Sequence, residues 1–343
     1  MKYAMLGNSG LLVSRLCFGA MTFREENATM GTVAKVRGKD AELMVHRALD
    51  AGINFYDTAD IYSSGDSELM LGAALKARRN DVVIATKCGL RSGAALTQSG
   101  LTRRHILWSV EQSLRRLGTD WIDVYIVHRQ DPLTPLAETL QALDDIVRAG
   151  KVRYIGFSNW SAWKVSAAME MQRANGWASF THGQMAYSLL MRDVEYEVLP
   201  MMQEYRLGLT AWSPLASGFL SGKYTQNAPA DPANRIGSGG SPMFDEQRGY
   251  ALLARLRPIA ERARASVAQA ALAWLLANPA VTSVILGASK LSQLEDNLGA
   301  VDVQLGGDDL RELAEATALA RLYPNWFHDF AADKPLLAAL GRA

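Results

Sequence analysis

Apolar and polar positions alternate along this chain in two rhythms. Short apolar runs begin near Arg15, Ile53, Val82, Ile122, Val152, Ser179, Leu209 and Thr282, eight in all, each short enough for a buried strand. Between them apolar residues recur at helical spacing. Thr102 can cap a helix whose apolar face is Ile106, Leu107, Val110, Leu114 and Leu117, with Gly118 as its terminator. Thr134-Pro135 opens a second, with Leu136, Leu140, Leu143, Ile146 and Val147 inward and Gly150 closing it. Ala162 to Asn175, Val194 to Arg206 and Leu291 to Ala300 carry the same pattern. Repeated strand–helix units imply parallel strands joined by helical crossovers. Eight of them fit a closed (β/α)8 barrel of the TIM type better than an open doubly wound sheet.

The expected fold is therefore α/β, a single (β/α)8 domain over residues 1–343 with additions at both ends. Lys2 to Ser14 reads as a hairpin around Gly7-Asn8-Ser9-Gly10. After Ala300 the pattern predicts a helix from about Asp308 to Ala320, then a tail carrying Tyr323, Trp326 and Phe327. Phe23 to Lys39, Cys88 to Leu101 and Ala216 to about Asp245 exceed ordinary loop length, the mark of functional lids or of disorder. Within the last, Gly237-Ser238-Gly239-Gly240-Ser241 suits a moving flap.

Composition narrows the function classes. Half of the 343 residues are apolar, and 36 basic against 35 acidic residues leave a net charge of +1. No basic run suggests a nucleic-acid surface. The apolar stretch around Ala270 to Ala277 ends at Asn278-Pro279, short of a membrane span. Cys17 and Cys88 are too few for a disulfide framework, and Gly7 to Arg15 interrupt any signal-peptide core. A cytoplasmic protein is expected, with no nucleic-acid or membrane partner. No metal site is expected, because the five histidines form no i, i+4 pair and none sits beside a cysteine.

Chemistry concentrates where the runs end. Asn54 to Tyr62 carries Asp57 at a strand end and Tyr62 in the loop beyond it, while Lys87 and His128 end the next two runs. In a parallel barrel these ends converge on one face. A carboxylate, a phenol, an ammonium and an imidazole there form a proton-transfer set. Lys87 is also what a Schiff-base aldolase would need, and that alternative stays open from residue types alone.

Taken together, the residues resemble the aldo-keto reductases. The resemblance rests on the N-terminal hairpin, Asp57-Thr58-Ala59…Tyr62, Lys87 and His128. It continues through Gly156-Phe157-Ser158-Asn159, Trp212-Ser213-Pro214-Leu215, Gly222-Lys223-Tyr224 and Gly287-Ala288-Ser289…Asn297. It implies a barrel that binds NADP without a Rossmann fingerprint, and no G-x-G-x-x-G is present. It implies Tyr62 as general acid/base, Lys87 and Asp57 as its tuning pair, and His128 as substrate orienter in the reversible reduction of aldehydes or ketones.

For the cofactor, the resemblance implies Ser158, Asn159 and Gln184 at the nicotinamide amide, Trp212 stacked on its ring, and Gly19, Met21, Asp57 and Gly287 around them. Ser213, Pro214, Leu215, Ala216, Gly218 and Lys223, with Arg235 beyond, would wrap the pyrophosphate. Ser289 and Lys290 would meet the 2′-phosphate of NADPH, with Gln293 and Asn297 near the adenosine. Gln293 stands where many members carry arginine, which bears on the expected preference for NADPH over NADH. Phe23, Trp160 and Trp326, beside Met21, are expected near a bulky carbonyl or alcohol substrate. The assembly is open between monomer and homo-oligomer, and similar proteins also serve as redox-sensing regulatory subunits of potassium channels.

Overall fold

The computed structural model describes residues 1–24, 35–226, 236 and 243–341. Strands β1 (Tyr3–Met5) and β2 (Leu12–Ser14) pair antiparallel as the expected hairpin. Then come β3 (Leu16–Gly19), β4 (Phe55–Asp57), β5 (Val83–Cys88), β6 (Ile122–Val127), β7 (Val152–Ser158), β8 (Phe180–Ala186), β9 (Gly208–Trp212) and β10 (Val281–Gly287). These eight run parallel in chain order, and β10 returns to β3, closing the barrel. The (β/α)8 expectation holds, with each predicted run matching one strand.

Both faces of every barrel strand are covered, which is why the runs read as nearly continuous apolar segments. Inward residues Cys17, Phe55, Val83, Val124, Ile126 and Ile285 fill the barrel. Leu6 and Val13 join that cluster from the hairpin. At Gly7, with φ of +60°, a Cβ would collide with the backbone of Thr181 and Gly208 near the starts of β8 and β9. The hairpin thus seals the N-terminal end of the barrel and leaves the C-terminal end for chemistry.

Outward residues such as Tyr56, Ile84 and Tyr125 pack against the helices in a second core. The crossover helices are α1 (Gly38–Asp50), α2 (Asp66–Leu75), α3 (Arg103–Leu117), α4 (Leu136–Arg148), α5 (Ala162–Asn175) and α6 (Val198–Glu204). Two helices, α7 (Glu246–Arg262) and α8 (Val267–Ala277), lie between β9 and β10. Beyond β10 come α9 (Leu291–Leu298), α10 (Gly307–Ala316), α11 (Asn325–Ala331) and α12 (Lys334–Ala339), the expected C-terminal extension.

Capping chemistry explains where the helix predictions succeed and where they slip. Thr102 accepts from the His105 N–H to start α3, and Gly118 ends it in the left-handed region. Thr134 instead donates to the Asp131 carboxylate at 2.6 Å, leaving Pro135 to open α4. The helix expected over Val194 to Arg206 is broken at Glu197, because Arg192 and Tyr187 hold Glu195 in a separate 3-10 turn. That expected over Leu291 to Ala300 stops at Leu298 and continues as a 3-10 turn. α10 stops early, where buried Thr317 turns its hydroxyl back to the Leu313 carbonyl. The flap expected at Gly237 to Ser241 lies outside the described residues.

Helix α2 sits close against the C-terminal end of α3. A Cβ added at Gly72 would lie 2.7 Å from the Leu117 Cα and closer still to its carbonyl oxygen. Because backbone cannot yield as a side-chain tip can, Gly72→Ala is expected to cost about 3 kcal/mol, read as a lowered urea midpoint with unchanged slope.

Candidate active site

Strand register brings the sequence-predicted residues to one end of the barrel. Gly19 pairs with Asp57, Ser158 with Gln184, and Gly287 with Gly19, each at or near a strand's C-terminal end. They surround a cavity of about 640 Å³, within the range of cofactor and small-molecule sites.

Lys87 is fully buried at the heart of this end. Its Nζ donates to Asp57 Oδ1 at 2.6 Å, to the Thr58 carbonyl at 2.7 Å and to the Tyr62 hydroxyl at 3.2 Å. An ammonium has three protons, and each has an acceptor. Burial works against the charge, but Asp57 and Tyr62 outweigh it, and the ammonium is held above its ordinary value. The chain between Asp57 and Tyr62 is pinned to β5 by Thr58 N–H to Ala85 O and Asp60 N–H to Lys87 O. Beyond Tyr62 the backbone takes left-handed values at Ser63 and Ser64, and Ser63 Oγ anchors the turn on Phe23 O.

The phenol of Tyr62 accepts from Lys87, so its own proton remains to be given elsewhere. Burial pushes the phenol up from its ordinary value near 10, and Asp57 adds to the rise while Lys87 pulls against it. Lys87 tunes the phenol in the expected direction, but desolvation is larger, and Tyr62 stays protonated through neutral pH. His128 follows β6 and meets the Tyr62 ring edge-on, 5.9 Å between centroids. Burial first, then Lys87, hold its imidazole down to about 3, so it is neutral.

The remaining expected residues fall into four groups. Gly19, Met21, Ser158, Asn159, Gln184, Trp212, Ser213, Pro214, Leu215, Gly218, Lys223, Gly287, Ser289, Lys290, Gln293 and Asn297 all line the cavity, as do Asp57, Tyr62 and His128. Ala216 is buried behind the wall, and Arg235 lies outside the described residues. Phe23, Trp160 and Trp326 are not among the lining residues. Phe23 packs on Phe18, Trp160 lies against Phe157 and Phe180, and Trp326 projects from α11 beside Tyr323 and Phe327. The aromatic core holds the first two, both buried.

Within the cradle the partners differ in detail from expectation. Gln184 Nε2 donates to Asp57 Oδ2 at 2.7 Å, so its amide fixes the carboxylate of the ion pair. Ser158 Oγ donates to the Gln184 carbonyl, and Asn159 bridges the His128 carbonyl and the Trp212 indole N–H. That bridge fixes the plane of the Trp212 ring. Ser213, Ala216 and Ser217 are all left-handed, a conformation costing on the order of 1–3 kcal/mol each and found where a ligand is clamped. Several N–H groups of that loop are already used within it, among them Ala216 on Ser213 O and Ser217 on Ser213 Oγ. Lys223 folds back over it, its Nζ 3.4 Å from where a Cβ of Gly218 would stand.

The cavity wall also includes Ile61, Leu90, Arg129 and Asp296. Ile61 and Arg129 are chain neighbours of Tyr62 and His128, a signal that could have found them. Leu90 comes from the Cys88–Leu101 loop, flagged by length but not by residue. Among the described residues no cluster of His, Cys, Asp and Glu could hold a metal ion, and no helix is long and apolar enough to cross a membrane.

A closed parallel barrel with a buried Lys–Asp pair and a tyrosine at its C-terminal mouth defines the class of protein. The chain belongs to the aldo/keto reductase family, whose model matches residues 15–318. It is 38% identical over 312 residues to a rice (Oryza sativa subsp. japonica) protein named "Probable voltage-gated potassium channel subunit beta", covering 88% of this chain and 92% of that one. An aldo-keto reductase of Fusarium vanettenii is 34% identical over 341 residues, covering 92% and 91%. The versiconal hemiacetal acetate reductase of Aspergillus parasiticus is 32% identical over 347 residues, covering 94% and 99%.

Proposed function

We propose that this protein is an NADPH-dependent reductase of aldehydes or ketones, running in reverse as an NADP-dependent alcohol dehydrogenase. The observation that carries the reading is the Lys87 ammonium, whose contacts with Asp57, Thr58 O and Tyr62 OH leave one phenol proton to give to a substrate oxygen. The cavity suits a long, two-ended anionic ligand. Its barrel end offers amides and the Trp212 ring, and its far end offers Lys223, Ser289 and Lys290.

Trp212 would hold the nicotinamide face, Ser158 and Asn159 its amide, the Ser213–Lys223 loop the pyrophosphate, and Ser289 and Lys290 the 2′-phosphate. When bound, the reduced nicotinamide supplies a hydride to the carbonyl carbon. Charge then gathers on the carbonyl oxygen, and Tyr62 gives that oxygen its proton. The tyrosinate left behind sits 3.2 Å from the Lys87 ammonium, which offsets its charge. Neutral His128 can donate one N–H to the same oxygen and fix the carbonyl's direction. Ile61 and Leu90 give the mouth an apolar side suited to a bulky or aromatic carbonyl. Free, buried Cys17 and Cys88 favour a reducing, cytoplasmic setting.

A screen of NADPH consumption over aldehydes, ketones, quinones and oxidised sugars tests this directly. Turnover of at least one class at more than about 0.1 per second is expected, against a typical enzyme median of about 10 per second. Silence across the panel with NADPH bound would end the reductase reading. It would favour a second one, a cofactor-binding regulatory subunit, which the name of the rice relative brings forward. That reading predicts slow NADP(H) exchange and a stable homo-oligomer.

A further inference from the structure

The catalytic end of the cavity holds one charge that the proton chemistry does not use. Asp57 is neutralised by Lys87 at 2.6 Å, and His128 is uncharged. Arg129, the next residue along the chain, also lines the cavity. Its Cα stands about 3.8 Å from that of His128, the residue whose ring meets Tyr62. Among the described residues no hydrogen bond or ion pair engages its guanidinium.

The carboxylate that feels its charge is Asp131, two positions on, and that carboxylate is already engaged. Leu101 N–H and the Thr134 hydroxyl donate to its Oδ2 at 2.8 and 2.6 Å, and Leu133 N–H donates to its Oδ1 at 2.9 Å. Burial alone would raise the Asp131 carboxyl; Thr134 and the two N–H groups bring it below its ordinary value, and Arg129 adds less than any of them. The backbone on either side of Arg129 is fixed. His128 N–H donates to Cys88 O at 2.8 Å, and the His128 carbonyl accepts from Asn159 at 3.0 Å. Gln130 Oε1 accepts from Ser161 N–H and Oγ, and the Asp131 carbonyl accepts from Lys164 Nζ. A held backbone thus presents an uncommitted, exposed guanidinium at the cavity wall. The lining carboxylate Asp296 does not answer it, because it lies on α9 at the other end and accepts from Ser266.

We infer that the substrate is an aldehyde or ketone carrying an anionic oxygen group, a carboxylate or a phosphate, and that Arg129 is the residue that selects it. This rests on the reductase reading above and narrows it from a carbonyl to an anionic carbonyl. A guanidinium matches either anion with two parallel N–H bonds, while Ile61 and Leu90 offer apolar surface to the body of the molecule. The anion stays outside the bond changes. The carbonyl carbon gains a hydride from the reduced nicotinamide, its oxygen gains the Tyr62 proton, and the carboxylate or phosphate leaves unchanged on the alcohol. Because Arg129 is exposed, the pair is worth about fivefold to tenfold in selection rather than the far larger factor of a desolvated pair.

The test is steady-state kinetics with NADPH on wild type, Arg129→Gln and Arg129→Lys, using three matched pairs of aldehydes. These are succinic semialdehyde against butanal, 4-carboxybenzaldehyde against methyl 4-formylbenzoate, and glyceraldehyde 3-phosphate against glyceraldehyde. The readout is the ratio of kcat/KM, charged over neutral, from which any general loss of activity cancels. Wild type is expected to favour the charged member of at least one pair by about fivefold to tenfold, mainly through KM, and the leading pair identifies the anion. Arg129→Gln should bring that ratio down to about one, and Arg129→Lys should recover part of it. Added salt should erode the ratio in wild type and leave it alone in Arg129→Gln. A wild-type ratio of about one or less in every pair overturns the proposal, as does a ratio that Arg129→Gln leaves unmoved. Silence on every pair alongside turnover in the wider carbonyl screen overturns it too, and the reductase reading stands. Silence throughout with NADPH bound defeats that reading, and the proposal with it.

Discussion

Tyr62→Phe is expected to lower kcat for carbonyl reduction by about a thousandfold, with NADPH affinity kept within a factor of about three. A positioned general acid contributes roughly 10² to 10⁴ in rate, and here no other described group stands ready to replace it. Lys87 spends its protons on Asp57, Thr58 O and the phenol. His128 is neutral, with burial the main cause. Removing the phenol oxygen leaves Lys87 two of its three acceptors, so the ion pair survives and folding is retained. Stopped-flow reduction of a carbonyl substrate found in the screen, with dinucleotide titration in parallel, separates chemistry from binding. A variant retaining more than a tenth of wild-type kcat would remove Tyr62 from the mechanism.

The strands were legible because both faces of a parallel barrel are buried. Apolar runs then appear with no polar alternation to obscure them, and the ends of those runs found Asp57, Lys87 and His128 directly. What the chain could not reveal is which end faces which across the barrel. Gln184 and Asp57 lie 127 positions apart and meet at 2.7 Å, yet nothing local to Gln184 marks a carboxylate as its partner. The resemblance set it at the nicotinamide amide, and the structure gives its N–H to the ion pair.

Aromatic residues misled for a related reason. Phe23 and Trp160 sit in polar stretches beside chemistry-bearing residues, which in a sequence looks like a pocket wall. Burial of large apolar area draws them inward, while the smaller Ile61 and Leu90 reach the cavity. Lys35, at the end of the first βα loop, lines the cavity as well, placed by Thr22, whose hydroxyl bonds the Ala288 carbonyl 266 positions away, beyond any local pattern.

Folding stability is expected to peak near pH 6.5, with opposite groups setting the two flanks. On the alkaline side the group is Asp60. It is 3% exposed, neither carboxylate oxygen has a side-chain hydrogen-bond partner, and it lies among Glu68, Arg116, Lys87, Cys88 and Tyr125. Burial, with Glu68 adding, pushes its carboxyl from 3.8 up to about 8 against the pull of Arg116. Between those values the native state keeps a proton that the unfolded chain has released, so stability falls as pH rises through the window. His128 and His182 act in the other sense. Burial and then Lys87 lower each from 6.5 to about 3. Between those values the unfolded chain takes up protons that the native state refuses, so stability falls as pH falls. Buried His105 is lowered too and adds to this limb.

Below pH 6.5 the histidines outnumber the carboxyl; above about pH 7 the carboxyl dominates. One proton is worth about 1.4 kcal/mol per pH unit. The histidines still half protonated in the unfolded chain at pH 6.5 offset part of it, so under about 1 kcal/mol should be lost between pH 6.5 and 8. Asp60→Asn is expected to flatten that alkaline fall, and His182→Gln to shallow the acid one, in urea unfolding at pH 5, 6.5 and 8. Stopping at pH 8 keeps the thiols of Cys17 and Cys88, which burial also raises, outside the range. The readout is a difference between pH values, so any uniform loss of packing in a variant cancels from it. If Asp60→Asn declines between pH 6.5 and 8 as steeply as wild type, the proton belongs to another group, and the carboxyl behind Lys87 is already ionised in the native protein.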